Sequence, residues 1–176
     1  SESEPFLGDF ILIKGGTVTA QHFGDGLIPS GIAKAEFGLS KGAWSIKSFS
    51  SEYSGARAEK AIDGNPNTHW HSDWSRDLEH PHELVIDFGR EYPLKSIIYT
   101  ARQDMVNGRV GNYKFLLSLD GESWQEVASR KFRNSPEPQR VWLEKITDAQ
   151  FLKFIMIDEV EGKNYASVGE IGIVIE

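Results

Sequence analysis

The amino-acid sequence predicts an all-β fold, a two-layered sandwich or jelly roll of about eight main strands. Three observations carry that expectation. From Gly42 onward the apolar runs are short and bounded by Gly, Asn, Asp and Pro, the punctuation of strands separated by turns. None of these runs repeats with the 3.6-residue spacing of an amphipathic helix. Asp120-Gly121 sits between an apolar run ending at Leu119 and Trp124-Gln125-Glu126-Val127, which reads as a hairpin turn joining two strands.

In chain order, residues 1–42 read as an N-terminal extension, acidic at its start and Gly-rich later. Its alternating Phe10-Ile11-Leu12-Ile13 is a candidate strand, either added to the main domain or left from a preceding one. Residues 43–176 form the main domain. Strands are expected at 44–49, 83–88, 94–102, 113–119, 124–127, 140–143, 151–157 and 168–175, each with β-branched or aromatic residues between turn signals. Two sheets must face each other to bury the apolar sides of so many short strands.

Composition narrows the function classes. The 176 residues suit one well-buried core, and 39% hydrophobic with 26% charged residues is the balance of a soluble globular chain. No apolar run approaches the ~18 residues that would span a bilayer. Acidic residues outnumber basic ones, 26 to 19, and the net charge of -7 works against phosphate backbones and anionic lipids as main partners. A neutral ligand fits better, and neither nucleic-acid binding nor membrane insertion is expected. With no cysteine, disulfides, thiolate zinc sites and cysteine nucleophiles are excluded. Five Trp, five Tyr and ten Phe leave aromatic rings to spare for ligand contact once a core is filled.

The segment Lys60-Ala61-Ile62-Asp63-Gly64-Asn65-Pro66-Asn67-Thr68 is a turn rich in oxygen donors. It reads either as a plain Asx-type turn or as a loop for a hard cation such as calcium, which takes six to eight oxygen ligands. Trp74 stands among Ser72, Asp73, Ser75, Arg76 and Asp77, and a large aromatic among charges is hard to place in a core. Trp70 is expected in the core, because strand alternation turns it opposite His69 and His71. Arg102 reads as an ion-pair partner of Asp104.

The runs Ala61-Ile62-Asp63-Gly64-Asn65, Thr68-His69-Trp70-His71-Ser72 and Leu84-Val85-Ile86-Asp87-Phe88-Gly89 follow one another in a familiar order. They continue with Ala101-Arg102-Gln103, Ser118-Leu119-Asp120-Gly121-Glu122-Ser123-Trp124 and Val168-Gly169-Glu170-Ile171. Over roughly 43–176 the chain resembles the discoidin or coagulation factor V/VIII C-type domains, and within them the family 32 carbohydrate-binding modules. The resemblance implies a galactose-binding-domain-like sandwich without a catalytic centre, outside the cell or at its surface; a monomer is expected. It implies a structural calcium ion held by the carbonyls of Lys60 and Gly169 with Asp63, Asn65, Thr68 and Glu170. It also implies a sugar site at His71, Trp74, Arg102 and Asn107, completed by Glu52 or Tyr53, for glycans ending in galactose or N-acetylgalactosamine.

Two other readings compete. His69, His71, His80 and His82, with Asp63 or Asp73, could hold zinc in a hydrolase, although no His-Glu-x-x-His, nucleophile elbow or phosphate loop is present. An adhesion domain for proteins or phospholipids is the other; the negative charge and the lack of cysteine rank it behind sugar binding.

Overall fold

A computed structural model describes residues 16–24, 26, 28–37 and 39–176. The described chain divides into two units between Ser40 and Lys41.

In the first unit, strands β1 (Gly16–Ala20) and β2 (Ala33–Phe37) form an antiparallel hairpin in the register Val18↔Ala35. Its long connection is tied across by Gln21 Nε2 donating to the Ser30 carbonyl at 2.7 Å and by His22 N donating to Ser30 Oγ at 3.0 Å. The sequence did not signal this hairpin, and the strand expected at Phe10–Ile13 lies outside the described residues.

The second unit is the β-sandwich expected from the sequence. After β3 (Ser45–Phe49) and the two-residue β4 (Trp70–His71) comes β5 (His82–Thr100), then β6 (Asn112–Ser118), β7 (Gln125–Lys131), β8 (Gln139–Met156), β9 (Ser167–Val168) and β10 (Glu170–Ile175). The main sheet has the order β10-β5-β8-β6-β7, with β3 also on β5, and a small sheet pairs β4 with β9. Every pairing is antiparallel.

Two expected pairs of strands are each one long strand. Segment 83–88 and the expected 94–102, which ends sooner at Thr100, are both in β5, and 140–143 and the expected 151–157, which ends at Met156, are both in β8; pairing between β5 and β8 is interrupted between Asp87 and Tyr92 and then resumes. Gly89 makes this bend possible. It has φ +78, and a Cβ there would meet the Ala43 carbonyl oxygen at 2.5 Å. The bend is what makes two layers from one sheet. In register Tyr99 lies opposite Gln139 and Phe154 opposite Leu84, yet the Tyr99 and Phe154 rings are 5.7 Å apart, so the sheet folds back on itself. The core is packed across that fold. Phe132 stacks on Tyr113 at 3.8 Å and on Tyr99 at 4.2 Å, with Phe115 and Phe154 edge-on or tilted around them. Alternation along β6 supplies two of these rings, burying Tyr113 and Phe115 together with Leu117 and leaving Lys114 and Leu116 more exposed.

The hairpin at Asp120-Gly121 is longer than a two-residue turn. β6 ends at Ser118 and β7 begins at Gln125, and Asp120 Oδ1 organises the connection by accepting from Ser118 Oγ and from the amides of Glu122 and Ser123. Trp124 is therefore in the loop, where Lys153 Nζ lies 4.5 Å from its ring centre.

Candidate functional site

Four connections and β4 meet at one end of the sandwich around a depression of about 480 Å³. β4 is the anchor. Trp70 is fully buried and donates from Nε1 to the Ser51 carbonyl at 3.0 Å, the core role that alternation predicted. His71 is clamped on both sides: its amide donates to Ala56, its carbonyl accepts from Tyr53, and it lies opposite Ser167 in β9. Ser72 continues the clamp, exchanging hydrogen bonds with Ala166.

This clamp sets the tautomer of His71. Its Nδ1 lies 2.7 Å from the Ser72 carbonyl, which only accepts, so Nδ1 carries the proton and donates. Burial lowers the pKa of His71, with the nearby Arg102 cation acting in the same direction. The neutral ring therefore offers a lone pair at Nε2. His69, also lining the depression, is lowered further, to about 4, chiefly by burial and then by Arg102.

Trp74 stands at the rim, 55% exposed. Asp73 holds it there by capping the short 3-10 turn Trp74–Arg76, its Oδ1 accepting from the Ser75 amide at 3.1 Å and hydroxyl at 2.6 Å. The Tyr53 ring lies 5.1 Å from the Trp74 ring at 33°, so two aromatic rings form one wall.

Arg102, only 6% exposed, lines the same depression. Nε and Nη2 make a two-pronged pair with Asp104, both at 2.8 Å, and Nη1 donates to Asn107 Oδ1 at 3.1 Å. The ion pair read from the sequence is thus real, and it orients the guanidinium without exhausting it: three of five N–H groups are engaged. Asp104 is held down at about 2, first by Arg102. Because Asn107 spends its oxygen on Arg102, its amide nitrogen remains as a donor. The end therefore combines an acceptor at His71, donors at Arg102 and Asn107, and an aromatic wall.

His71, Trp74, Arg102, Asn107 and Tyr53 all line this depression. Glu52 does not. Its Oε2 accepts from the Ala58 amide at 2.8 Å, which holds its carboxylate on the 3-10 turn 58–61 while Tyr53 lines the depression. Sequence reasoning missed His69, Met105 and Tyr165, which line it too. The His69-x-His71 alternation could have found the first; Tyr165 comes from a distant loop and reaches the site only in the fold, 5.2 Å ring to ring from His71.

The oxygen-rich turn is ordered by its own side chains. Asp63 Oδ1 accepts from Asn65 N at 2.8 Å, Asp63 Oδ2 from Thr68 Oγ1 at 2.6 Å, and Asn65 Oδ1 from Asn67 N at 3.1 Å. The fold brings Glu170 to it from the far end of the chain: Asp63 and the Gly64 backbone both act on its carboxyl. Gly169 is pressed against the chain just past the end of β5, where a Cβ would meet the Ala101 carbonyl oxygen at 2.7 Å. Lys60 anchors the turn's start, its Nζ donating to the Gly55 carbonyl at 2.8 Å. Lys41 Nζ donates to Glu170 Oε1, while Oε2 is buried with no hydrogen-bond partner. Burial lowers the pKa of Lys41 and raises that of Glu170, so desolvation outweighs their mutual attraction. An all-oxygen donor set with an orphaned carboxylate oxygen fits a hard cation.

The four histidines read as a zinc alternative fall into two separate pairs, with rings 6.4 Å apart for His69 and His71 and 4.8 Å for His80 and His82. The nitrogens of His80 face the Met156 and Lys163 carbonyls, and those of His82 face Ser50 Oγ and the Asn164 carbonyl. Among the described residues no group of three or more His, Cys, Asp or Glu is placed to hold a metal.

Residues 45–171 match the F5/8 type C domain family. Over 120 residues, 66% of this chain, the sequence is 38% identical to a sialidase from Micromonospora viridifaciens, and it spans 18% of that relative's length. Among solved structures, the chain is similar to the family 32 carbohydrate-binding module of Clostridium perfringens NanJ in complex with galactose, at 26% identity and a TM-score of 0.69 over 76% of this chain and 94% of that one. It is also similar to a family 32 module from a family 31 glycoside hydrolase of Clostridium perfringens, at 28% identity and a TM-score of 0.74 over 79% and 95%.

Proposed function

This chain belongs to the F5/8 type C domain family, and from that premise we propose that it is a non-catalytic module binding terminal galactose-type sugars, galactose or N-acetylgalactosamine, outside the cell or at its surface. The observation that carries the reading is that the exposed ring of Trp74 lines one depression together with the buried, pre-oriented Arg102 and the half-buried Asn107 bonded to it. A galactose unit has an apolar C–H face suited to Trp74 and an axial O4 beside O3 on the other side. The remaining N–H groups of Arg102 and the amide of Asn107 donate to those oxygens, while His71 Nε2 accepts a hydroxyl proton. Glucose, with O4 equatorial, turns that hydroxyl away from the pair. The galactose complex of the NanJ module supports the ligand class.

A sugar of ~12 heavy atoms at roughly −0.3 kcal/mol each gives about −4 kcal/mol, a Kd on the order of 1 mM. Retention on a glycan surface then depends on several sites acting together. We propose that calcium is held by the carbonyls of Lys60 and Gly169 with Asp63, Asn65, Thr68 and Glu170, a role for which the buried, unpartnered Glu170 Oε2 is the support. Its part is structural: it would tie the last strand to the 60–68 turn and neutralise Glu170 and Asp63.

The test is an amide-shift titration with galactose, N-acetylgalactosamine, N-acetylglucosamine and glucose. The two galactose-configured sugars should move the signals of His71, Trp74, Arg102 and Asn107. Indifference to configuration, or shifts confined to other loops, would overturn the proposal.

A further inference from the structure

A second depression, of about 260 Å³, lies against the first. Trp74 and Tyr165 line both, so the two share a wall. The turn after Trp74 supplies Asp77 on one side, and the loop ahead of β9 supplies Lys163 and Asn164 on the other.

Both sides are held by their backbones. Asp77 takes the left-handed conformation, φ 45, that ends the 3-10 turn. On the opposite loop the buried Glu159 accepts from the amides of Gly108, Glu161 and Lys163. The carbonyls of Lys163 and Asn164 face the Nε2 atoms of His80 and His82, each at 3.0 Å. The side chains themselves are left over: among the described residues, Asp77, Lys163 and Asn164 have no side-chain hydrogen-bond or ion-pair partner. Fixed backbone with unspent donors and acceptors is what a sugar subsite requires.

We propose that this second depression binds the next sugar unit of a glycan whose terminal unit sits against Trp74; the inference rests on the reading of the first depression. Its volume lies below the ~300–1,000 Å³ of sites for larger ligands, which fits one ring. Its chemistry selects a neutral unit. Lys163 and Asn164 donate and Asp77 accepts, so hydroxyls and an acetamido group find partners, while the opposite charges of Lys163 and Asp77 cancel and leave no net charge to draw in a charged sugar. The ligand is thus a disaccharide or longer chain, with a neutral hexose or N-acetylhexosamine next to the terminal galactose-type unit.

The test compares methyl β-galactoside with the β-1,3-, β-1,4- and β-1,6-linked galactosyl-N-acetylglucosamines on the 176-residue chain, by titration with amide-shift mapping. At least one disaccharide should bind about five- to tenfold tighter than the monosaccharide, the effect of one or two net hydrogen bonds. It should also move the amides of Asp77, Leu78, Lys163 and Asn164, which the monosaccharide leaves in place. Lys163→Ala, or Asp77→Asn, which keeps a residue tolerant of the left-handed conformation, should reduce the ratio of the two affinities to below about twofold. If methyl β-galactoside binds but no disaccharide gains affinity or moves those amides, the subsite is wrong and the first depression stands. If methyl β-galactoside itself does not bind, both readings fall.

Discussion

Removing the Lys41 ammonium should expose how Glu170 is neutralised. The two side chains are 15% and 13% exposed, and Glu170 keeps a second oxygen with no partner. Breaking a buried pair costs about 3–5 kcal/mol, and the residual exposure argues for about 3. At roughly 3–4 °C per kcal/mol for a unit of this size, Lys41→Met in chelator should melt ~10 °C below the wild type. Calcium at ~100 times its Kd adds about 2.7 kcal/mol by mass action, so it should raise the wild-type Tm by a similar amount. A divalent ion at Glu170 and Asp63 makes the lysine dispensable, so calcium should close most of the gap between Lys41→Met and wild type. Calcium should no longer raise the Tm of Glu170→Gln, and in that background Lys41→Met should no longer destabilise, because the carboxylate that needs neutralising is gone. Scanning calorimetry of the wild type, the two single variants and the double variant in chelator, calcium and sodium reads all of this. A Tm indifferent to calcium in both the wild type and Lys41→Met would refute the metal account, and an equal loss for Lys41→Met with and without calcium would refute the coupling.

Two further outcomes follow from the core and the histidines. Phe132→Ala should destabilise the fold by about 3–5 kcal/mol in denaturant unfolding, since its ring is the stacking partner of both Tyr99 and Tyr113; a loss under ~1 kcal/mol would mean the layers are not packed through it. The pKa values of His69 and His71 are lowered by folding, so as pH falls the unfolded chain takes up protons before the folded one does. Stability should therefore be level above pH 6.5 and decline between 6.5 and about 4, with His69→Asn flattening part of that decline; a Tm that rises as pH falls through this window would contradict the desolvation of the two rings.

Much of the sandwich was legible because β strands announce themselves by alternation and turns. Tyr113, Phe115 and Leu117 fall inward at every second position. The continuity of β5 and β8 was not legible, since Gly89-Arg90-Glu91 looks like a break in the chain while hydrogen bonding to β8 resumes at Tyr92. Likewise His71, Trp74, Arg102 and Asn107 lie in short motifs with recognisable spacing, and those motifs end in one depression. Tyr165 carries no local pattern; its place depends on β9 pairing with β4, ninety-odd residues away, as the Ser72–Ala166 contacts record. Lys41 was invisible as a partner for the same reason, because its meeting with Glu170 spans nearly the whole second unit. Glu52 and Tyr53 were equal candidates by sequence, and the choice between them was made by the Ala58 amide that captures Glu52.

The most direct test of sugar binding at Trp74 is a calorimetric titration of galactose and glucose into the wild type and Trp74→Ala, with melting curves of both proteins run alongside. Galactose should bind the wild type with a Kd on the order of 1 mM and glucose at least about tenfold more weakly. Trp74→Ala should lose ~1–3 kcal/mol, which puts galactose beyond detection, and its Tm should stay unchanged because the ring is mostly in solvent. Equal affinity for the two sugars, or galactose binding that survives the loss of Trp74, would contradict the account.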